Sequence, residues 1–288
     1  MVERSVRIRE VMSSNLTVST TRQRLEAVLR FRPFLLQKSS IHGPEKPKAF
    51  TPAGEGLITG FLPEKIEIPF GFLGMEVSEM KNPTKSAFIL IDMEQGFIDP
   101  ASAHCIKGAA ATVPTCEKAI QMSRQKGIPI FFVKRIYREN GSDVECTRYQ
   151  SWIAGGRSMA PGSYGAQEPE SLRPQPGDYT IIKPRWSAFF QTELDLILRR
   201  LGIRTVILAG TTTPNCIRTT CYDANALDYN VVILSDCTSS QTEEIQQANL
   251  ADMERMGALV INTCEFEHYG EKTVLDLAAS IRSDIEKR

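Results

Sequence analysis

Six short apolar runs, separated by stretches of helical character, constrain the fold of this chain more than any other feature. Each run has four to six residues and is rich in β-branched side chains, which is typical of strands buried on both faces. The predicted strands are residues 87–91, 128–133, 179–182, 205–209, 231–234 and 258–261. Strands that alternate with helices predict an α/β fold with three layers, in which a six-stranded, mostly parallel sheet lies between helices.

Five helices are predicted among these strands. One begins near Val113 or Pro114, since proline is tolerated in the first turn of a helix, and it ends at Gly127. The others cover residues 192–201, a stretch from Ile217 onward, residues 242–256 and residues 271–285. Residues 138–178 contain several glycines and prolines and predict a long irregular loop, which in a compact domain usually carries function.

Residues 1–84 differ in composition from the regular α/β domain predicted at residues 85–288. Their first part is rich in arginine, and prolines and glycines punctuate the rest, which is typical of loops. An arginine-rich start also occurs in organelle transit peptides, although Glu3, Glu10 and Glu26 weaken that interpretation. We expect an irregular extension that wraps its own core or a neighbouring subunit.

Composition excludes several classes of function. The 34 basic and 34 acidic residues balance, so neither a nucleic-acid surface nor a polybasic membrane patch is indicated, and no apolar run has the length of a membrane helix. The 7 cysteines form no CxxC pair, which disfavours a structural zinc site and fits a reducing compartment. We expect a cytoplasmic protein without a cofactor, with organelle targeting left open.

Three chemically useful residues follow the ends of three different predicted strands: Asp92, Lys183 and Cys216. In parallel sheets the active site lies at the carboxyl ends of the strands, so these side chains should meet at one edge. Cys216 also precedes a helix, whose N-terminus lowers a thiol's pKa and can hold an oxyanion. We predict Cys216 as nucleophile, Lys183 as the cation that stabilises its thiolate, and Asp92 as general acid and base.

Each residue has a structural alternative. Free cysteines are often simply buried, aspartates often cap helices or turns, and lysines at strand ends are often exposed. Taken singly these alternatives are favoured, and the coincidence at three strand ends favours the triad.

The same residues carry a resemblance. Residues 89–97, Ile-Leu-Ile-Asp-Met-Glu-Gln-Gly-Phe, and 183–190, Lys-Pro-Arg-Trp-Ser-Ala-Phe-Phe, together with the Gly-Thr-Thr-Thr-Pro-Asn-Cys of 210–216, resemble the isochorismatase-like cysteine hydrolases. The resemblance spans the chain from about residue 86 and implies a Rossmann-type fold and a homodimer or homotetramer. It also implies a cis peptide bond between Thr211 and Thr212, which would aim the backbone N–H groups of Thr212 and Cys216 at an oxyanion.

The resemblance also sorts the subgroups of that family. Isochorismatases proper lack the nucleophilic cysteine, and nicotinamidases carry Asp and His metal ligands near the second strand, where this chain has no histidine. We therefore predict no metal and the greatest similarity to the ureidoacrylate, N-carbamoylsarcosine and biuret amidohydrolases. Glu94 departs from the glutamine of many relatives.

The implied reaction is attack by Cys216 on a small amide or ureido carbonyl, with release of ammonia. Candidate substrate-binding residues are Phe97, Tyr137, Trp186 and, for a substrate carboxylate, Arg185. For the aromatic residues, ordinary packing in the core is an equally good interpretation. Two other functions stay open: a nicotinamidase-like amidase that works without metal, and a non-catalytic relative that serves as an interaction module.

Overall fold

The computed structural model describes residues 85–270 and 272–288. The predicted extension at residues 1–84 therefore lies outside the described residues. Six strands form one sheet: β1 (Lys85–Ile91), β2 (Ile130–Arg135), β3 (Tyr179–Lys183), β4 (Ile203–Thr211), β5 (Asn230–Ser239) and β6 (Leu259–Ile261). Every pairing is parallel, in the order β3-β2-β1-β4-β5-β6, which confirms the predicted six-stranded parallel sheet.

Helices cover both faces of the sheet. The α-helices in the described part of the chain are α1 (Gln95–Ile98), α2 (Ala109–Gln125), α3 (Tyr149–Ala154), α4 (Leu194–Arg200), α5 (Arg218–Ala226), α6 (Glu243–Arg255), α7 (Thr263–Glu267) and α8 (Leu277–Glu286). Side chains alternate along β1, so that Ile89 packs among α4, α5 and α6, whereas Phe88 and Leu90 pack against α2 and α7. The three-layer fold follows from strands that are apolar on both faces.

Some predicted bounds were wrong. Helix α2 begins at Ala109, so Pro114 lies inside the helix rather than in its first turn. The run of alanines at 109–111 favours helix strongly enough to extend it upstream of the proline. Three short helices, α1, α3 and α7, were not predicted, and the last helix begins only at Leu277. Within the predicted loop, two further single turns of 3-10 helix occur at Tyr164–Ala166 and Glu170–Leu172.

The strand order places a topological switch point between β1 and β4. From β1 the chain continues outward through β2 and β3, and then returns to β4 on the other side of β1. Ligands in such sheets bind in the crevice at the carboxyl ends of the strands, where the order reverses. Asp92 follows β1 and Cys216 follows β4, so both lie at this crevice.

Candidate active site

Asp92, Lys183 and Cys216 meet in one buried cluster. The Nζ of Lys183 donates to Oδ2 of Asp92 at 2.8 Å and lies 3.7 Å from Sγ of Cys216. Their exposed fractions are 1%, 0% and 4%, respectively. The structure thus brings together three residues that are far apart in sequence, in an arrangement in which a base, a cation and a thiol share one site.

Gly210 determines the path of the chain between β4 and Cys216. Its φ is +111°, a conformation that L side chains rarely adopt, and a Cβ there would lie 2.0 Å from the carbonyl oxygen of Ile91 on β1. Just after Gly210, the peptide bond between Thr211 and Thr212 is cis. Cys216 then lies in a single π-helical turn, Thr213–Ile217, which continues directly into α5.

Asp92 and Lys183 are each fixed by backbone contacts. The N–H of Asp92 donates to the carbonyl of Val133 on β2, and its φ of +52° lies in the left-handed region, which aspartate tolerates better than most residues. The Nζ of Lys183 also donates to the carbonyl of Arg185 at 3.0 Å. The ammonium and the carboxylate are therefore held in place before any substrate binds.

The expected low pKa of the Cys216 thiol is wrong for the resting site. Burial raises the pKa of Cys216 above its ordinary value, and the nearby Asp92 carboxylate adds to the rise. Lys183 and Arg135 oppose these effects without reversing the shift in pKa. Cys216 therefore rests as a neutral thiol, and its proton needs an acceptor when the thiolate forms.

Arg135, the last residue of β2, is a fourth member of this site that we did not predict. Its Nη2 lies 3.6 Å from Sγ of Cys216 and 3.8 Å from Oδ2 of Asp92, and the side chain is fully buried. It pairs in register with Lys183 on β3. The rule used for Lys183, a charged residue at the end of an apolar strand, points to Lys134 and Arg135 together, because both follow the apolar run that ends at Val133.

The 136–172 segment, which follows β2, holds the Arg135 guanidinium. The Nη1 of Arg135 pairs with Glu145 and donates to Oη of Tyr137 at 3.1 Å. The Tyr137 hydroxyl in turn donates to Oε2 of Glu145 at 2.6 Å. Arg148 also donates to the Tyr137 hydroxyl at 3.2 Å. Burial raises the pKa of Tyr137 to about 12, so this hydroxyl stays protonated and can donate.

Glu94 is a buried acid next to Asp92 and Lys183. Its Oε1 accepts the backbone N–H of Arg135 at 2.7 Å, while Oε2 is buried without a hydrogen-bond partner. Burial, followed by the neighbouring Asp92 carboxylate, raises the pKa of Glu94 well above its usual range. A protonated Glu94 is neutral and matches the shape and polarity of glutamine.

The predicted substrate-binding residues lie in different surroundings. Phe97 and Tyr137 belong to a small buried aromatic cluster with Val144, Trp152 and Met159. The Arg185 guanidinium donates to the backbone carbonyls of Asp143 and Pro184. Trp186 is 38% exposed. Their part in substrate binding stays a prediction.

Metal ligands are scarce at this edge of the sheet. In residues 85–270 and 272–288, no three His, Cys, Asp or Glu side chains are grouped closely enough to hold a metal ion. Over the same residues, no helix combines the length and the apolar character that crossing a bilayer requires.

Comparison with known proteins identifies the family. The isochorismatase domain matches residues 86–265, which is more than half of the chain. The chain belongs to the isochorismatase family. This family of hydrolases includes amidohydrolases that act on C–N bonds, as the resemblance implied.

Three relatives illustrate the range of this isochorismatase family member's similarity. The "Probable inactive nicotinamidase" of Arabidopsis thaliana is 37% identical over 60% of this chain and 89% of its own length. The ureidoacrylate amidohydrolase RutB of Rhizobium rhizogenes is 29% identical over 64% of this chain and 82% of its own length. An isochorismatase family protein of Desulfovibrio vulgaris has a crystal structure that is 36% identical, with a TM-score of 0.62, covering 64% of this chain and 97% of that one.

Proposed function

We propose that this isochorismatase family member is a cysteine-dependent amidohydrolase that cleaves a C–N bond of a small carbamoyl, ureido or amide substrate and releases ammonia. One observation carries the proposal: the Lys183 ammonium lies 2.8 Å from the Asp92 carboxylate and 3.7 Å from the Cys216 thiol. The similarity to RutB, an amidohydrolase of ureidoacrylate, supports this substrate class.

The acylation step begins with a neutral thiol. Asp92 accepts the proton of Cys216 as Sγ attacks the carbonyl carbon, and the carbonyl π electrons move to oxygen. The backbone N–H groups of Thr212 and Cys216 stabilise that oxyanion. When the tetrahedral species collapses, the C–N bond breaks and the nitrogen leaves as ammonia with the proton from Asp92.

Deacylation reuses the same carboxylate. Asp92 takes a proton from water, the resulting hydroxide attacks the thioester or thiocarbamate carbonyl, and the C–S bond breaks. The proton returns to Sγ, which restores the neutral thiol. The Lys183 and Arg135 cations stabilise the negative charge that Sγ carries during both steps, because the buried site screens it poorly.

Two other functions remain as alternatives. A nicotinamidase-like amidase without metal would use the same residues on an aromatic amide. The second alternative is a non-catalytic interaction module, and the Arabidopsis relative, a "Probable inactive nicotinamidase", shows that family members without activity are a case to test. The contacts among Asp92, Lys183 and Cys216 favour an enzyme, because a module has no need to bury an ion pair against a thiol.

The test is ammonia release from N-carbamoyl amino acids, ureidoacrylate, biuret and nicotinamide. Cys216→Ala should abolish turnover, and Cys221→Ala is the matched control because Cys221 is also buried but packs in the core through α5. Turnover that survives in Cys216→Ala would reject the nucleophile. Turnover of nicotinamide alone would favour the nicotinamidase-like alternative, and failure of the wild type on every compound would favour the module.

We also propose that the protein forms a homodimer or homotetramer and is cytoplasmic, with organelle targeting by residues 1–84 as the alternative. The assembly is what the family resemblance implies. Light scattering of the full chain measures the first property. Microscopy of the tagged full chain, with and without residues 1–84, measures the second.

A further inference from the structure

The Arg135 guanidinium keeps one buried N–H without a partner on the edge that lies beside the thiol. Its Nη1 is occupied by Glu145 and Tyr137, but Nε is buried without a hydrogen-bond partner. Its Nη2 has only long contacts, 3.6 Å to Sγ of Cys216 and 3.8 Å to Asp92. A buried N–H without a partner costs free energy, so this edge is suited to a ligand that accepts two hydrogen bonds.

The geometry of that edge favours a planar anion. Nε and Nη2 carry parallel N–H groups, the fork that binds a carboxylate through both oxygens. The fork is also rigid here, because Glu145 and Tyr137 hold the opposite side of the guanidinium. Arg135 is thus oriented for recognition before a ligand binds.

The charges around the thiol leave room for one anion. Three cations, Lys183, Arg135 and Arg148, lie in the site with two anions, Asp92 and Glu145. Burial would raise the pKa of Glu145, but Arg135 and Tyr137 outweigh it and hold that pKa below its usual range, so Glu145 is ionised. Burial raises the pKa of Glu94 well above its usual range, which favours the neutral acid. Positive charge is therefore in excess at this site, with the partly buried Arg148 at its margin, and it favours an anionic ligand.

We infer that Arg135 is the specificity-determining residue of this site and that its Nε–Nη2 edge binds a carboxylate of the substrate. The substrate class is a small ureido, carbamoyl or amide compound that carries one carboxylate close to the scissile carbonyl. The inference rests on the proposed function for the position of the reacting carbon at Sγ. It selects acidic substrates over neutral ones such as nicotinamide.

Arg185, the carboxylate-binding residue predicted from the sequence, is the competing candidate. Its Nη1 already donates to two backbone carbonyls, those of Asp143 and Pro184. Its carbonyl rather than its guanidinium contacts Lys183. Arg185 is therefore placed to brace the 136–172 segment against the strand end, while Arg135 contacts the thiol directly.

The experiment compares each acid with its neutral amide. The probes are N-carbamoylglycine and N-carbamoyl-β-alanine with their primary amides, and calorimetry measures their binding to Cys216→Ala protein, which cannot turn them over. At least one acid should bind more tightly than its amide by about 10- to 100-fold, the order expected for hydrogen bonds to a charged group. Equal binding of acid and amide in both pairs would overturn the inference.

Variants of Arg135 test whether its Nε–Nη2 fork causes the preference for the acid over the amide. Arg135→Lys keeps the charge without the fork and should lose most of the preference. Arg135→Met alone leaves Glu145 buried and unpaired and can fail to fold, so Arg135→Met with Glu145→Met removes the pair together. Arg138→Met, which removes a side chain that is 77% exposed, is the control that keeps the preference.

Two results would contradict this role of Arg135. Equal weakening of acid and amide in Arg135→Lys would show a merely structural role, and loss of the preference in Arg185→Met but not in Arg135→Lys would assign the carboxylate to Arg185. Both readouts are binding, so they are independent of turnover. An acid preference that depends on Arg135 in a protein without ammonia release would reject the proposed reaction and leave the carboxylate site standing.

Discussion

The sheet edge and the 136–172 segment build the site by different physical means. At the sheet edge, parallel strands with apolar residues on both faces hold Asp92, Lys183 and Cys216 through backbone hydrogen bonds and register. The segment has one short helix and two single turns, and a small aromatic cluster holds it in place. The catalytic residues and Arg135 thus lie on the rigid part, and the residues that orient the Arg135 guanidinium lie on the part with fewer constraints.

Two glycines with positive φ test the rigid side of that contrast: Gly210 in β4 at the sheet edge, and Gly257, a reference position outside both regions. Gly210→Ala places a Cβ 2.0 Å from a backbone oxygen of β1, which has no freedom to move away. We expect it to lower the free energy of unfolding by about 4 kcal/mol or more, or to prevent soluble expression. Gly257→Ala has a φ of +100° without any close contact, so urea denaturation of both variants separates backbone strain from the clash. Equal losses in the two would show that the clash adds nothing.

At the sheet edge, Asp92→Asn should separate catalysis from thiol reactivity. Loss of the proton acceptor should lower kcat/KM by about 100- to 10,000-fold, the range of general acid and base catalysis. The Asp92 carboxylate contributes to the raised pKa of Cys216, so its removal should shift iodoacetamide labelling of Cys216 to lower pH. Asp92→Asn would thus have a more reactive Cys216 thiol and a lower catalytic activity.

Mass spectrometry of labelled peptides follows that reaction, and the exposed Cys146 and Cys264 are internal controls. In the wild type, Cys216 should be labelled more slowly than Cys146 and Cys264, because burial raises the pKa of Cys216 and restricts access to its thiol. Fast, selective labelling of Cys216 in the wild type at neutral pH would contradict the neutral resting thiol.

The sequence could predict the sheet edge because its rules are local and general. Apolar runs specify buried strands, parallel order places their carboxyl ends together, and Asp92, Lys183 and Cys216 follow from position. Arg135 ends β2 in the same way, but Lys134 lies between it and the apolar run that ends at Val133, so position alone does not distinguish the two cations. The bond from Glu145 to Arg135 could not be predicted, because it depends on the path of turns whose conformation is set by packing around Trp152.

The 136–172 segment should open independently of the sheet, because a small aromatic cluster rather than strand pairing holds it in place. Gly141→Ala tests this, because a Cβ there would lie 2.7 Å from the Trp152 ring at a φ of +71°. We expect a loss of about 1–2 kcal/mol in local stability, because the left-handed conformation is costly for alanine. Hydrogen exchange should quicken at residues 141–159 and stay unchanged in β1 and β4. Uniform acceleration across the sheet would contradict two separately stable regions.

The smallest expected effect is at Glu94, and it tests whether the buried Glu94 carboxyl carries a proton. Glu94→Gln is nearly isosteric with the protonated acid, so we expect stability at pH 5 to change by less than about 1 kcal/mol. The folded-state pKa of Glu94 is raised, so the wild type loses stability as pH rises from the unfolded pKa through the folded one. The variant lacks this loss, and its advantage in urea midpoint should grow between pH 5 and pH 8.

Glu145→Gln is the matched opposite, because it lies in the segment and its pKa is lowered by Arg135 and Tyr137 despite burial. Its stabilising contribution is present above the unfolded pKa and is lost as pH falls through the folded one. The deficit of Glu145→Gln should therefore shrink toward acid, while the advantage of Glu94→Gln grows toward alkali. If both variants changed with pH in the same direction, Glu94 would be ionised. The site would then lack the excess of positive charge that favours an acidic substrate.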